Sequence, residues 1–285
     1  MVSAEQVTDP IAFHAEGAVW SEAWGGLKWV DMFRGDVLSL GADGSVGRMA
    51  TGSTIAAMVR PRVAGGFVVV TEREFTLWGA EGRREWASEP VWETSGDIRF
   101  NEGGCDPEGR LLCGSMSYDM IPGAGTLWRF GVDRSIERVF GGSTISNGLG
   151  FTADGSRMYY VDTPTRRIDV FDYADGELSE RRPFVQVAEG AGDPDGLWVD
   201  AEDGVWVALY GGGAVHHYDA SGVLADVVEL PASNVTSCTF GGAGLDVLYI
   251  TTSRENVADG EQPLAGSVFS APSGVRGAAV RPYAG

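Results

Sequence analysis

Apolar residues occur along the chain in short runs that are separated by turns containing Asp-Gly or Gly-Gly. Residues 151–162 contain Asp154-Gly155 followed by a run rich in Met, Tyr and Val, and residues 197–208 repeat this order around Asp203-Gly204. A turn of this type between two apolar runs is typical of a β-hairpin. No long window has helical periodicity, and the helical crossovers that a parallel sheet needs are missing. The pattern therefore predicts an all-β fold.

The predicted hairpins recur with a nearly constant period. Asn101, Asn147, Asp195 and Cys238 stand at comparable points of four successive units and are about 43 to 48 residues apart. This period suits four-stranded propeller blades better than helical repeats. Six such blades fit 285 residues, and no linker divides the chain. We therefore expect a single six-bladed β-propeller domain with four-stranded blades over residues 1–285.

Composition supports this fold and narrows the partners. The chain contains 42 Gly, which indicates many turns, and its formal net charge is -19, from 21 Lys and Arg against 40 Asp and Glu. Such an acidic surface repels phosphate backbones and anionic lipids, so we expect neither a nucleic-acid nor a membrane partner. The sequence leaves the oligomeric state open.

Two further features concern the compartment. No apolar run is long enough to cross a bilayer, and residues 1–10 lack the basic start and apolar stretch of a secretory signal. The three cysteines, Cys105, Cys113 and Cys238, have neither CxxC spacing nor a paired framework, so we expect buried free thiols. These features favour a cytoplasmic protein.

Four polar residues stand at equivalent places in four predicted blades. Glu16, Asn101, Asn147 and Asp195 each adjoin the first apolar run of a blade, and in a propeller these innermost strands line the central channel. Each Asn-Gly or Asp-Gly pair, taken alone, is also compatible with an ordinary turn. Taken together, they predict side chains that converge at one mouth of the channel.

The converging side chains offer oxygen atoms only. Carboxylate and amide oxygens bind hard divalent cations, and Glu16, Asn147 and Asp195 form the best predicted ligand set. The expected cofactor is one divalent ion, Ca²⁺ or Zn²⁺, with Mn²⁺ and Mg²⁺ as alternatives. An open site of this kind can polarise a carbonyl and acidify a bound water, as a hydrolase requires. His14, two residues before Glu16, is a candidate neighbour of this site.

Five ordered motifs extend over nearly the whole chain. They are EGAVW (16–20), RFNEG with DPEGR (99–110), ISNGL (145–149), PDGL (194–197) and TSCTFGG (236–242). In this order they resemble the senescence marker protein and gluconolactonase (regucalcin-like) family. The resemblance implies a six-bladed propeller that binds one divalent metal through Glu16, Asn147 and Asp195 and hydrolyses sugar lactones with metal-activated water.

The resemblance also implies roles for individual side chains. Arg99 and Asn101 match positions that contact the substrate, and Asp119 falls where some members have a substrate-binding Glu. The shorter Asp119 leaves the preferred sugar open. Asp195 is expected to be a metal ligand that can also accept a proton from the attacking water.

Two other functions compete with a metal-dependent sugar lactonase. A propeller metal that activates water could also serve a phosphotriesterase or arylesterase. Alternatively, the chain could be a non-enzymatic calcium-binding scaffold. A polar mouth around an open metal favours the enzyme, whereas an exposed apolar groove on the propeller face favours the scaffold.

Overall fold

Six β-sheets make up the protein in the computed structural model, which describes residues 2–285. The first four sheets, blades 1 to 4, each consist of four consecutive strands. In chain order they are β3 (Ala15–Ser21), β4 (Gly26–Asp31), β5 (Asp36–Leu40), β6 (Val46–Ala50), β7 (Ala56–Pro61), β8 (Phe67–Thr71), β9 (Phe75–Trp78), β10 (Arg84–Ala87), β11 (Ile98–Cys105), β12 (Leu111–Ser117), β13 (Gly125–Phe130), β14 (Ile136–Ser143), β15 (Ser146–Phe151), β16 (Arg157–Asp162), β17 (Arg167–Ala174) and β18 (Glu177–Gln186).

The last two sheets also use the N-terminus. Blade 5 contains β19 (Asp193–Val199), β20 (Val205–Tyr210), β21 (Ala214–Tyr218) and β22 (Leu224–Glu229), and blade 6 contains β23 (Val235–Gly241), β24 (Val247–Thr252) and β25 (Val268–Pro272). β1 (Val2–Ser3) pairs in parallel with β22, and β2 (Glu5–Gln6) pairs with β25 as the fourth strand of blade 6. The first and last parts of the chain thus close the ring together.

The first strands of the six blades lie innermost. β3, β7, β11, β15, β19 and β23 contact one another in a closed ring, with β23 returning to β3. The predicted all-β, six-bladed β-propeller is therefore confirmed. Three short 3₁₀ turns, Glu22–Trp24, Met32–Arg34 and Thr163–Thr165, complete the regular structure of the described chain. No helix among residues 2–285 is long and apolar enough to span a membrane.

The hydrophobic core lies between the blades. Aromatic side chains from neighbouring sheets meet there, as where Trp206 of β20 packs edge-on against Phe240 of β23 at 5.5 Å between ring centres. The three cysteines are buried free thiols, as predicted, and belong to this packing. Burial raises the pKa of Cys105 to about 12, so this thiol stays protonated and inert.

Every innermost strand is interrupted by a shift of register against its neighbour. The shifts skip Asn101 in β11, Asn147 in β15 and Asp195 in β19, and in β3 the shift begins directly after Glu16. Such bulges bend a strand and re-aim its side chains. The alternative that Asn147-Gly148 and Asp195-Gly196 form ordinary turns is therefore wrong, because both pairs lie within strands.

Candidate metal and substrate site

A cavity of about 540 Å³ opens where the innermost strands begin. Five of the six predicted site residues line it: Glu16, Arg99, Asn101, Asn147 and Asp195. Each is at most 7% exposed although they come from four blades. Side chains that lie far apart in sequence thus share one cavity.

Asp119 is the sixth predicted residue, and the structure places it differently. It is exposed in the loop after β12, where its backbone N–H donates to Ser117 Oγ at 3.2 Å. Its neighbours Tyr118 and Met120 line the cavity, whereas Asp119 does not. Its role in substrate binding stays a prediction that requires the loop to bring its carboxylate inward.

Glu16 and Asp195 are buried carboxyl groups that affect each other. Burial raises the pKa of Glu16 well above its usual range, and the charges of Asp195 and Glu102 raise it further. The pKa of Asp195 is also well above its usual range, because of burial and then the charge of Glu102. Without a bound metal cation, the surroundings of Glu16 and Asp195 therefore disfavour the ionised form of both carboxyl groups.

Asn147 is held by one end of its amide. Its Nδ2 donates to Thr163 Oγ1 at 3.0 Å, and Thr163 Oγ1 donates to the Pro194 carbonyl at 2.9 Å. Its Oδ1 is buried and accepts no hydrogen bond from residues 2–285. A buried acceptor without a partner is costly unless another ligand satisfies it.

These observations fit the predicted divalent cation. Within the described chain no three His, Cys, Asp or Glu side chains form a metal-binding group by themselves, so a three-residue set requires the Asn147 amide. A cation among Glu16, Asn147 and Asp195 would satisfy Asn147 Oδ1 and offset the repulsion between the two carboxylates. An all-oxygen donor set of this kind suits a hard divalent ion.

Arg99 supplies a fixed positive charge in the same cavity. Its Nη1 donates to Asn101 Oδ1 at 2.5 Å, and Asn101 Nδ2 donates to the Ser146 carbonyl at 2.9 Å. The guanidinium lies 5.3 Å from the ring centre of Phe33 and 5.9 Å from that of Tyr118, which is cation–π geometry. Burial lowers the pKa of Arg99, but an arginine remains a cation near neutral pH.

Further cavity residues come from positions that the repeat did not mark. Glu255 lies in the segment after β24, and its Oε2 is 3.5 Å from His14 Nδ1 and 3.4 Å from the Tyr210 hydroxyl. His14, proposed from its spacing to Glu16, lines the cavity and hydrogen-bonds Ser253 Oγ at 2.8 Å. Burial, with the charge of Arg99, lowers the pKa of His14 to about 3, so it is a neutral hydrogen-bonding group.

Known proteins of similar sequence and structure identify the family of this chain. The family described as SMP-30/Gluconolactonase/LRE-like region matches residues 14–254. The chain is 32% identical to regucalcin of Sus scrofa, with 95% of this chain and 94% of regucalcin aligned. It is 31% identical to a Bacillus subtilis protein named "Putative sugar lactone lactonase YvrE", with 97% of each chain aligned. A calcium-binding protein, regucalcin, from Agrobacterium tumefaciens superposes with a TM-score of 0.91 at 24% identity, over 99% of this chain and 97% of that one. The chain belongs to the SMP-30/gluconolactonase/LRE-like family, as its ordered motifs predicted.

Proposed function

We propose that this protein is a metal-dependent lactonase that opens sugar lactones. The observation that carries the proposal is the unsatisfied Asn147 Oδ1 beside the buried Glu16 and Asp195, in the same cavity as the Arg99 guanidinium. The functional unit is the whole of residues 1–285, because the groups come from four blades. The similarity to a protein named as a sugar lactone lactonase supports the same activity.

Glu16, Asn147 and Asp195 would hold the divalent cation. When bound, the cation would supply a Lewis acid for the lactone carbonyl and would favour ionisation of a nearby water. Asp195 would accept the proton of the attacking water, a task that requires its ionised form. Its burial strengthens every charge interaction that it makes in the cavity.

Arg99 and Asn101 would orient the substrate. Asn101 Oδ1 and the rings of Phe33 and Tyr118 fix the Arg99 side chain, so its remaining N–H groups can meet a lactone without reorganisation. Ring opening releases a carboxylate, which a guanidinium binds well. Asp119 would contact a sugar hydroxyl from the loop that carries Tyr118.

The apolar part of the cavity supports one competing activity. Phe33, Met116 and Ile145 are among its lining residues, and such apolar side chains accept an aromatic group as readily as the carbon skeleton of a sugar. Aryl esters or phosphotriesters are therefore alternative substrates of the same site. A non-enzymatic calcium scaffold is supported less, since a scaffold needs no buried guanidinium beside its metal.

A substrate panel tests the proposal. The protein is stripped with a chelator, reloaded separately with Ca²⁺, Zn²⁺, Mn²⁺ or Mg²⁺, and assayed on five- and six-membered aldonolactones, an aryl ester and an aryl phosphotriester. We expect saturable opening of aldonolactones that disappears on chelation and returns with a cation. Asp195→Ala should remove activity, and Asp259→Asn, which changes an exposed carboxylate, should retain it.

Two results would overturn the proposal. The first is metal-loaded protein that opens no aldonolactone faster than buffer. The second is an Asp195→Ala variant that keeps full turnover and stoichiometric metal. If the phosphotriester or the aryl ester is turned over faster than every lactone, the protein is instead a phosphotriesterase or an arylesterase.

A further inference from the structure

A second cavity, of about 400 Å³, lies at the other end of the innermost strands. In β11 the first cavity is lined by Arg99 and Asn101, whereas the second is lined by Gly104 and Cys105. The volume falls within the range of small-molecule sites, about 300 to 1,000 Å³. The two cavities therefore occupy opposite mouths of the propeller channel.

The C-terminal segment covers this second mouth. The Arg276 carbonyl accepts a hydrogen bond from Ala201 N at 2.9 Å, and the Ala278 carbonyl accepts one from Trp198 Nε1 at 3.0 Å. Tyr283 continues the segment to blade 2, where its N–H donates to the Pro61 carbonyl at 2.8 Å. The second cavity is consequently a built pocket with a wall of its own.

The charge of this pocket is opposite to that of the protein. The whole chain has 40 acidic and 21 basic residues, yet the pocket is lined by three arginines, Arg60, Arg276 and Arg281, and by no Asp or Glu of the described chain. Its other walls are largely apolar and include Leu149 and Phe151. Its lining thus combines an apolar surface with positive charge.

Arg60 is the most unusual of the three arginines. It is only 4% exposed, its Nη1 donates to the Val59 carbonyl at 2.7 Å, and its Nη2 donates to the Gly103 carbonyl. Among residues 2–285 it forms no direct ion pair, although the charges of the buried Glu102 and Glu16 act on it at longer range. The Arg60 guanidinium donates only to carbonyl oxygens, so an anion in the adjoining pocket would give this buried cation its first direct anionic partner.

Arg281 and Arg276 add positive charge nearer the solvent. Arg281 Nη2 donates to the carbonyls of Thr152 at 2.9 Å and Ala153 at 3.3 Å, so its guanidinium is held in place without a carboxylate. Arg276 is exposed, and its guanidinium has no partner in the described chain. Both can therefore attract an anion toward Arg60.

We propose that the second cavity binds a small organic carboxylate with an apolar body. The carboxylate would pair with the arginines, and the apolar body would pack against Leu149 and Phe151. A sugar acid fits poorly, because its hydroxyl groups would lose water against apolar walls without gaining hydrogen bonds. This site is independent of the lactonase proposal, since it uses none of the residues assigned to the first cavity.

Calorimetric titration of the full-length protein tests this proposal. Hexanoate is the probe, hexanamide is its neutral match, and gluconate is its polar match. We expect one saturable site that binds hexanoate at least about tenfold more tightly than either match, a difference of about 1.4 kcal/mol. The double variant R276E/R281E should bind hexanoate about ten times or more less tightly than the wild type does.

Two control variants show whether hexanoate binds in the second cavity. The double variant R83E/R84E makes the same change of charge at two exposed arginines outside the cavity and should leave binding unchanged. Arg99→Gln removes the guanidinium of the first cavity and should also leave it unchanged. Equal binding of hexanoate and hexanamide, no saturable binding of hexanoate, or loss of binding in Arg99→Gln would each overturn the proposal.

Discussion

Replacing Asp195 by Asn should stabilise the metal-free protein while weakening its cation site. The substitution keeps the shape of the side chain and removes one ionisable group from a mouth that Glu16 and Glu102 share. Burying an uncompensated carboxylate is unfavourable, because protein contacts replace its hydration only in part. We expect the metal-free variant to be more stable than the wild type by about 1 to 3 kcal/mol at neutral pH.

Thermal unfolding followed by circular dichroism measures this effect. At about 2 to 4 °C per kcal/mol, the variant should melt about 2 to 12 °C above the wild type in chelator. A cation at a hundred times its dissociation constant should stabilise the wild type by about 2.7 kcal/mol, because it binds only the folded protein. The variant should gain much less, so the difference in Tm should shrink or reverse with metal.

Asp259→Asn is the matched control, since it removes one exposed carboxylate. It should change neither the stability in chelator nor the gain with cation by more than about 0.5 kcal/mol. The reasoning is refuted if Asp195→Asn is less stable than the wild type without metal. It is also refuted if the variant and the wild type gain equally from the cation.

Individual contacts give three further predictions. Thr163→Val removes the hydroxyl that accepts a hydrogen bond from Asn147 Nδ2, so it should weaken cation binding about tenfold or more. Titration of the metal-free protein with the cation measures this affinity, and an unchanged value would show that the amide needs no such support. Gly148→Ala should lower the free energy of unfolding, measured by urea titration, by about 1 to 3 kcal/mol, because a Cβ there would lie 2.5 Å from a backbone nitrogen of the next blade. An unchanged free energy of unfolding would contradict this close approach. Burial would raise the pKa of Asp200, but hydrogen bonds, first from His217, hold it below its ordinary value of 3.8. Asp200→Asn should therefore cost stability above about pH 4, and the deficit should shrink as the pH falls through the pKa of the folded carboxyl; a deficit independent of pH would contradict this.

Much of the fold could be predicted because hairpin turns and the blade period are local signals that repeat. The N-terminal strands escaped prediction for the opposite reason. Glu5 and Gln6 are both exposed, so β2 has no apolar pattern, and it is defined only by pairing with Ser270 and Phe269 at the far end of the chain. A two-residue strand with so distant a partner leaves no signature in its own sequence.

The residues of the candidate site also differ in whether the repeat marks their positions. Asn147 and Asp195 could be proposed from sequence because they occupy equivalent points of a repeat, and the symmetry of the ring brings such points together. The predicted equivalence of Glu16 is off by one residue, because Glu16 is still paired in its strand and stands just before the register shift, yet it reaches the same cavity. Thr163 and Glu255 could not be proposed from sequence, since they lie in connections outside the innermost strands, where the blades differ. Positions that break the repeat can be found only from the folded geometry.

The ambiguity of Asn-Gly and Asp-Gly has a physical resolution at the channel. Near the axis the innermost strands approach so closely that a Cβ on Gly196 would lie 2.8 Å from the Cβ of Ser237 in the next blade. Crowding between strands therefore requires glycine there. A turn conformation does not, because neither Gly148 nor Gly196 has a positive φ. The bulge that accommodates each glycine also frees the preceding side chain from the ladder, so that Asn147 and Asp195 can face the channel. In a propeller repeat, a polar residue followed by glycine at the start of a blade thus indicates the channel mouth, because the same crowding that requires the glycine directs its neighbour inward.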